Sequence, residues 1–266
     1  MIGALGNSLD SANTAVSTAL GRLSSGLRIN SAKDDPAGLQ IATRMAAQIS
    51  STGAALSNVS DASSLAQTAG GALGQVSETL QRMRELAVQA GNGSYSASDR
   101  QALQAEFTQL SSSLDSTASQ SQFNGKNLLD GTFQATVQTG PNASDTQSLS
   151  LGNVSSTALG SAGLDISSAA GATNALSAID QAISVVAGQQ ANLGAIQSTL
   201  DATSANLANS SVNLSASRAA ITDTDYAQTS SDQSLAKVRQ QVALKAVALY
   251  NANQASVLSL LPGQSK

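Results

Sequence analysis

Residues 176–221 read LSAIDQAISVVAGQQANLGAIQSTLDATSANLANSSVNLSASRAAI. Ile179, Val186, Leu193, Leu200, Leu207, Leu214 and Ile221 recur at every seventh position. Two turns of α-helix take close to seven residues, so such a repeat keeps returning to one partner along a seam. Leu176 and Ile183 open a companion row that turns polar at Gln190, Gln197, Ser204, Ser211 and Arg218, which makes the expected apolar seam narrow. A single helix over this stretch is about 70 Å long at 1.5 Å per residue, too long for a compact domain to bury. The repeat therefore predicts a mainly α chain built as an elongated antiparallel helical bundle or coiled coil. Its partners must come from the first half of the sequence.

That half carries matching signals. From about Pro36 to Ala90 an apolar stripe runs through Ala42, Met45, Ile49, Leu56, Val59, Ala66, Leu73, Leu80, Met83 and Ala87. Gly70-Gly71 is expected to bend or weaken the helix, because each glycine costs about 1 kcal/mol there. Gly91-Asn92-Gly93 ends it, Ser98 with Gln101 fits a capping box, and Leu103, Phe107, Leu110 and Leu114 form the next stripe. Beyond Gly125 the period changes. Phe133, Ala135 and Val137 alternate with polar residues, Gly140-Pro141-Asn142 supplies a turn, and Leu149 and Leu151 alternate again. This predicts a small β-hairpin, followed up to about Thr173 by a Ser/Gly/Ala-rich loop with some short strand.

Both ends of the chain read as amphipathic helices. The first stripe is Leu5, Leu9, Ala12, Val16, Ala19 and Leu23, and Gly26 is a left-handed stop after it. Asp35-Pro36 reads as an N-cap followed by proline at the first helical position. Around these signals lie Arg22, Arg28, Lys33, Asp34 and Asp35, a cluster of charges in a chain that is only 11% charged. After Thr222-Asp223-Thr224-Asp225 the pattern restarts with Leu235, Val238, Val242, Leu249 and Val257, ending on Leu258, Leu260 and Leu261. One small helix pair buries such stripes only in part, so ordering of the two ends by partners is expected.

Composition limits the chemistry. The 266 residues contain no His and no Cys, which removes the commonest general base, the commonest metal ligand and every disulfide or thiolate site. Net charge is −4 with no basic cluster, against nucleic acid. Adjacent Asp34 and Asp35 rarely point at one spot, so a catalytic acid pair gives way to capping with a salt bridge to Arg28 or Lys33. Gly21 to Gly26 lacks the lysine of a phosphate loop, and Asp223 with Asp225 brings too few oxygens for a cation site. No cofactor and no enzyme activity are expected. No stretch approaches the roughly 18 apolar residues of a membrane span, and the first residues lack the pattern of a cleaved signal peptide.

Several segments together resemble bacterial flagellin, the subunit of the flagellar filament: RLSSGLRINSAKDDPAGLQIATRM at 22–45, LQRMRELAVQAGNGS at 80–94, QFNGKNLLDGTF at 122–133, SASRAAITDTDYA at 215–227 and VLSLL at 257–261. The short middle region looks like a minimal form without the large variable outer domains. The start lacks the usual Ile-Asn-Thr-Asn type, and Lys245 and Tyr250 are bulkier than the pattern.

The resemblance implies two domains. Residues 1–34 and 224–266 would form the inner filament tube, and 35–223 an outer helical rod with the hairpin and loop near 125–173. It implies a secreted, extracellular helical homopolymer for swimming, exported without a cleaved signal peptide. The implied partners are further copies, the export apparatus, an export chaperone, the filament cap and junction proteins. It makes Arg22, Arg28, Lys33, Asp34 and Asp35 a joint between domains. It makes Gln81, Arg82, Arg84, Glu85, Leu86, Gln89 and Glu106 a protofilament contact and the patch read by the flagellin-sensing toll-like receptor. Leu5, Leu9, Val16, Leu23 and the C-terminal aliphatic residues become terminal helix packing. The hairpin falls where the family is thought to switch between two protofilament states. The rival readings are a hook–filament junction protein and a surface adhesin or glycan-binding module; the latter's stacking aromatics are nearly absent, at 2% aromatic residues.

Overall fold

The computed structural model describes the backbone of residues 2–259 and the side chains of residues 3–256. The helices, in chain order, are α1 (Ile2–Ser25), α2 (Pro36–Ala90), α3 (Ala97–Gln120), α4 (Ala169–Thr222) and α5 (Tyr226–Ser259). Two antiparallel strand pairs lie between α3 and α4: β1 (Gln122–Phe123) with β2 (Lys126–Asn127), and β3 (Gln134–Gln138) with β4 (Thr146–Ser150). The chain forms two compact units, Ser50–Ser211 and the combined ends Met1–Ile49 with Val212–Lys266.

In the central unit α2 and α4 share a heptad seam. On α2 the seam is the buried row Ala55, Val59, Ala62, Ala66, Ala69, Leu73, Val76, Leu80, Met83, Ala87 and Ala90, alternating steps of four and three, with Thr52, Thr79 and Leu86 buried beside it. On α4 the seven-residue row is buried at Ile179, Val186, Leu193, Leu200 and Leu207, as its spacing predicts, whereas its last members, Leu214 and Ile221, are half-buried. The helices run antiparallel, since Arg84 meets Asp180 while Gly70 lies against Leu193 further along. The companion row on α4 differs from expectation. Ala175 and Ala182 are buried, whereas Leu176 and Ile183 only flank the core. Alanines let the two backbones approach, and the larger side chains rotate to the flank. The glycine pair leaves α2 helical throughout. A Cβ at Gly70 would sit 3.6 Å from Leu193 Cδ2, an ordinary van der Waals contact, so the seam has room for alanine at this position.

α3 folds back on the end of α2. Its N-cap is Ser96, whose hydroxyl accepts from Asp99 N while the Asp99 carboxylate takes Ser96 N. This reciprocal box lies two residues before the one expected at Ser98. Arg100 donates Nε to Ala90 O at 2.8 Å and Nη2 to Asn92 O at 3.0 Å, satisfying carbonyls at the α2 C-terminus. Phe107 and Leu114 bury the apolar stripe.

The hairpin β3–β4 pairs Gln134 with Ser150 through to Gln138 with Thr146, and Phe133, Leu149 and Leu151 turn inward. Asn124 and Gly125, at φ 49° and 74°, form the turn of β1–β2, the two left-handed residues that an Asn-Gly hairpin turn requires. The segment 152–168 holds no strand, and α4 begins at Ala169, earlier than composition indicates. Two polar side chains of α3 tie this segment down. Asp115 accepts from Ser156 N and Oγ, and Gln104 accepts from Ile166 N while donating to Leu164 O.

Candidate functional site: an unpartnered helix face and two charged clusters

In the terminal unit α1 and α5 pack antiparallel, with Asn13 Oδ1 accepting from Gln240 Nε2 at 2.7 Å. The α1 stripe faces this contact: Ala12 and Ala19 are buried, and Leu5, Leu9, Val16 and Leu23 are half-buried. On α5 the buried residues among those described are Thr229, Ala236 and Ala243. The large side chains expected to pack there stand about 100–160° away round the helix. Leu235 is 55% exposed, Val238 57%, Val242 61% and Leu249 65%. Thus α5 turns alanines to α1 and presents an aliphatic stripe outward. Leu5, Ala12, Val238, Val242 and Ala246 line an apolar groove of about 450 Å³ between the two helices. Leu260 and Leu261, and the side chains of Val257 and Leu258, lie outside the described residues.

The charged stretch 22–38 is a joint within the same unit. Gly26 adopts φ 73° and its N–H closes on Arg22 O at 2.9 Å. Leu27 then bridges to Asp223, with Arg28 N donating to Thr222 O and Thr224 N to Gly26 O. The Arg28 guanidinium adds a bond to Ile221 O. Asp34 accepts from Asn30 N and from Ser31 N and Oγ. Asp35 caps α2 through Gly38 N at 2.8 Å. The expected salt bridge of these acids to Arg28 or Lys33 is absent among the described residues; nearby backbone amides satisfy the carboxylates instead. Gly38 has a steric cause: a Cβ there would lie 2.8 Å from Asp35 Cγ and 2.9 Å from Ile29 Cδ1. Arg22 is half-buried, and its Nε has no hydrogen-bond partner. Asp225 caps α5, accepting from Gln228 N.

The second cluster lies on α2 and α3. Arg82 donates Nε and Nη2 to Glu106 Oε1 at 3.0 and 2.7 Å, and Nη1 to Glu85 at 3.0 Å. Its pKa is raised, chiefly by the Glu106 hydrogen bond. Arg84 donates to Asp180 at 2.6 Å, and Gln89 Nε2 to the Tyr95 hydroxyl at 2.7 Å. Gln81, Arg82, Arg84, Glu85, Gln89 and Glu106 are all exposed. Leu86 is not part of that surface, because it is 1% exposed and belongs to the core. Where only α4 packs on α2 the buried arc is a narrow seam; where α3 joins it, the arc widens to take in Leu86. The exposed aliphatic residue here is Val88, at 52%, which pattern reading did not single out.

Four carboxylates, three exposed and that of Asp130 half-buried, are held below their ordinary value of 3.8 by local donors. Asp34 is lowered first by Asn30 N, Asp99 by the Ser96 hydroxyl, Asp130 by that of Thr132, and Asp165 by that of Ser167. A depressed folded-state pKa contributes stability that is present above the unfolded value and lost as pH falls through the folded one. The melting temperature is therefore expected to hold from neutral pH to about pH 5 and to decline below about pH 4. In Asp99→Asn the acid-side decline should be shallower. An unchanged acid slope in that variant would contradict the assignment.

Among the described residues, no helix is long and apolar enough to cross a membrane. The family description "Bacterial flagellin N-terminal helical region" matches residues 3–134, and "Bacterial flagellin C-terminal helical region" matches 176–261. A flagellin of Salmonella muenchen is 47% identical over 154 residues, 58% of this chain and 30% of that protein. The B-type flagellin of Pseudomonas aeruginosa is 48% identical over 154 residues, covering 58% and 32%. The chain thus spans about a third of the length of these curated relatives. The crystal structure of Bacillus cereus flagellin is similar at TM-score 0.53 and 32% identity, over 57% of this chain and 88% of that one. A flagellar hook-associated protein of Vibrio parahaemolyticus matches at TM-score 0.61 and 18% identity, over 71% of this chain and 99% of that one, which speaks to fold alone.

Proposed function

From its membership of the bacterial flagellin family, we propose that this chain polymerises into the extracellular helical filament that drives swimming. Between the two family regions lie only residues 135–175, so the chain is a minimal flagellin without large outer domains. The role is structural rather than enzymatic. The observation that carries the reading is the α5 face, whose aliphatic side chains Leu235, Val238, Val242 and Leu249 stay more than half exposed within the subunit.

The mechanism is folding coupled to assembly. Beyond two buried alanines from each helix, the α1–α5 contact holds aliphatic side chains that are only half-buried, so the pair is weakly held in the free subunit. Packing against neighbours buries the aliphatic stripe and offsets the entropy of ordering. In this reading residues 1–34 and 224–266 build the inner tube and 35–223 the outer rod. The joint built from Arg28, Asp34 and Asp35 connects them, with Arg22 and Lys33 beside it. The Arg82–Glu85–Glu106 cluster with Gln81, Arg84 and Gln89 is the protofilament contact and the surface offered to the toll-like receptor. A chain that leaves through the flagellar export apparatus meets an export chaperone, the cap and the junction proteins. The exposed α5 stripe favours a self-assembling subunit over an adhesin.

Electron microscopy of the purified protein after salt-induced polymerisation tests this. Long filaments are expected. A protein that stays monomeric with both ends intact would refute the proposal.

A further inference from the structure

The sequence has two Asn-Gly pairs, Asn92-Gly93 and Asn124-Gly125, and the structure sets them in different surroundings. Asn124 is fixed at φ 49° in the tight turn between the paired residues Phe123 and Lys126. Asn92 follows the end of α2 and is exposed. Its side-chain carbonyl Oδ1 accepts two hydrogen bonds at 3.0 Å, from Ser94 N and from Ser94 Oγ. Gly93 N, the intervening amide, donates no hydrogen bond among the described residues, and neither does Asn92 Nδ2. The side-chain carbonyl is thereby fixed by two donors from the residue two positions on, and the amide nitrogen between them in sequence is unengaged.

We infer that Asn92 is a built-in site of spontaneous deamidation, converting to aspartate and isoaspartate through a cyclic imide. Gly93 N, on losing its proton to solvent base, attacks Asn92 Cγ and forms the new N–Cγ bond. Negative charge develops on Oδ1, where the Ser94 N–H and O–H stabilise it as oxyanion donors. The Cγ–Nδ2 bond then breaks, and Nδ2 leaves with a proton as ammonia. Water adds to either carbonyl of the imide. Opening at the side-chain carbonyl gives aspartate, and opening at the main-chain carbonyl gives isoaspartate. No oxidant or enzyme enters the balance.

The product changes a defined place. A carboxylate appears two residues beyond the C-terminus of α2, where negative charge is unfavourable. An isoaspartyl link also adds a carbon to the backbone and displaces Asn92 O, which accepts from Tyr95 N and Arg100 Nη2. Tyr95 is the partner of Gln89, so the modification reaches the edge of the charged cluster on α2. Its effect on assembly rests on the reading of that cluster as a subunit contact; the chemistry does not.

The test is peptide mapping by mass spectrometry of the full-length protein, incubated for weeks at pH 8 and 37 °C, with isoaspartate detected by isoaspartyl methyltransferase. Gain of mass and isoaspartate should appear at Asn92 about tenfold faster than at Asn124, and Ser94→Ala should slow it several-fold. Gly93→Ala should nearly abolish it by shielding the nitrogen. That variant is sterically tolerated, because nothing lies within 4 Å of the added Cβ. Unchanged circular dichroism would show that it folds. Equal rates at the two asparagines, or a rate indifferent to Gly93→Ala, would overturn the inference. The readout does not involve polymerisation, so its failure is distinct from failure of the filament assignment.

Discussion

Replacing Leu235, Val238, Val242 and Leu249 together by glutamine is expected to leave the free subunit folded and to abolish filament growth. All four are more than half exposed in the subunit, so the exchange removes no intramolecular core, and glutamine is a good helix former. In the assembled state each of these side chains would lose its remaining contact with water. Burying what is exposed is worth about 1 kcal/mol per residue, or about 4 kcal/mol for the set. That corresponds to a rise of roughly a thousandfold in the concentration needed for assembly. Sedimentation of polymer across a concentration series measures it directly. Growth at the wild-type concentration would show that this face is not a subunit contact. The alanine face offers a contrast: Ala236 and Ala243 are buried on α1, so enlarging either should disturb the subunit itself.

Phe107→Ala carries the second large effect, on stability. Phe107 is 1% exposed and among the largest fully buried side chains. It sits in the middle of α3 and packs into the core shared with α2 and α4. Truncation removes a buried aromatic ring from the core, a loss of about 3–5 kcal/mol. For a unit of this size the melting temperature should fall by roughly 10 °C. The neighbouring Glu106 holds Arg82 through two bonds, so loosening α3 should also disperse the charged cluster. By comparison, Arg82→Ala alone removes exposed pairs and should cost less than about 1 kcal/mol. Urea unfolding of both variants separates the two effects. A loss below about 1 kcal/mol for Phe107→Ala would contradict the packing described.

The parts of the structure that large aliphatic residues determine were open to pattern reading. The row from Ile179 to Leu207 is buried as spaced, because a leucine or isoleucine at every seventh position has one low-energy place to go. The complementary row on α2, with Ala55, Ala62, Ala69 and Ala90, was less visible. Alanine is common on both faces of helices, and only the proximity of a second backbone gives it a side. The same ambiguity governs α5. Sequence alone orients Leu235, Val238, Val242 and Leu249 toward whatever the helix packs on, and within the subunit the alanines take that place. Leu86 illustrates a different limit. Its spacing of four from Arg82 places both on one surface, but the arrival of α3 widens the buried arc, and no local pattern encodes that arrival.

Polar tethers account for the remaining differences. Segment 152–168 has a loop composition, yet Asp115 and Gln104 hold its amides from a distance in sequence, and Val154 and Ile166 are wholly buried. At the joint, the signals for helix stop and helix start were explicit in Gly26 and Asp35-Pro36. The roles of the charges were not. Asp34 serves the backbone of its own turn, and Arg28 reaches Ile221 O across 193 positions of sequence.

Association of subunits by this face requires that the α5 stripe become buried. The chain has no cysteine, so Val238→Cys introduces a unique thiol on that stripe. The rate of its reaction with a maleimide, compared between free subunits and sedimented filaments, measures the burial directly. The prediction is fast labelling in the subunit and labelling slowed by at least about a hundredfold in the filament, the occlusion expected of a desolvated interface core. Equal rates in the two states would contradict it.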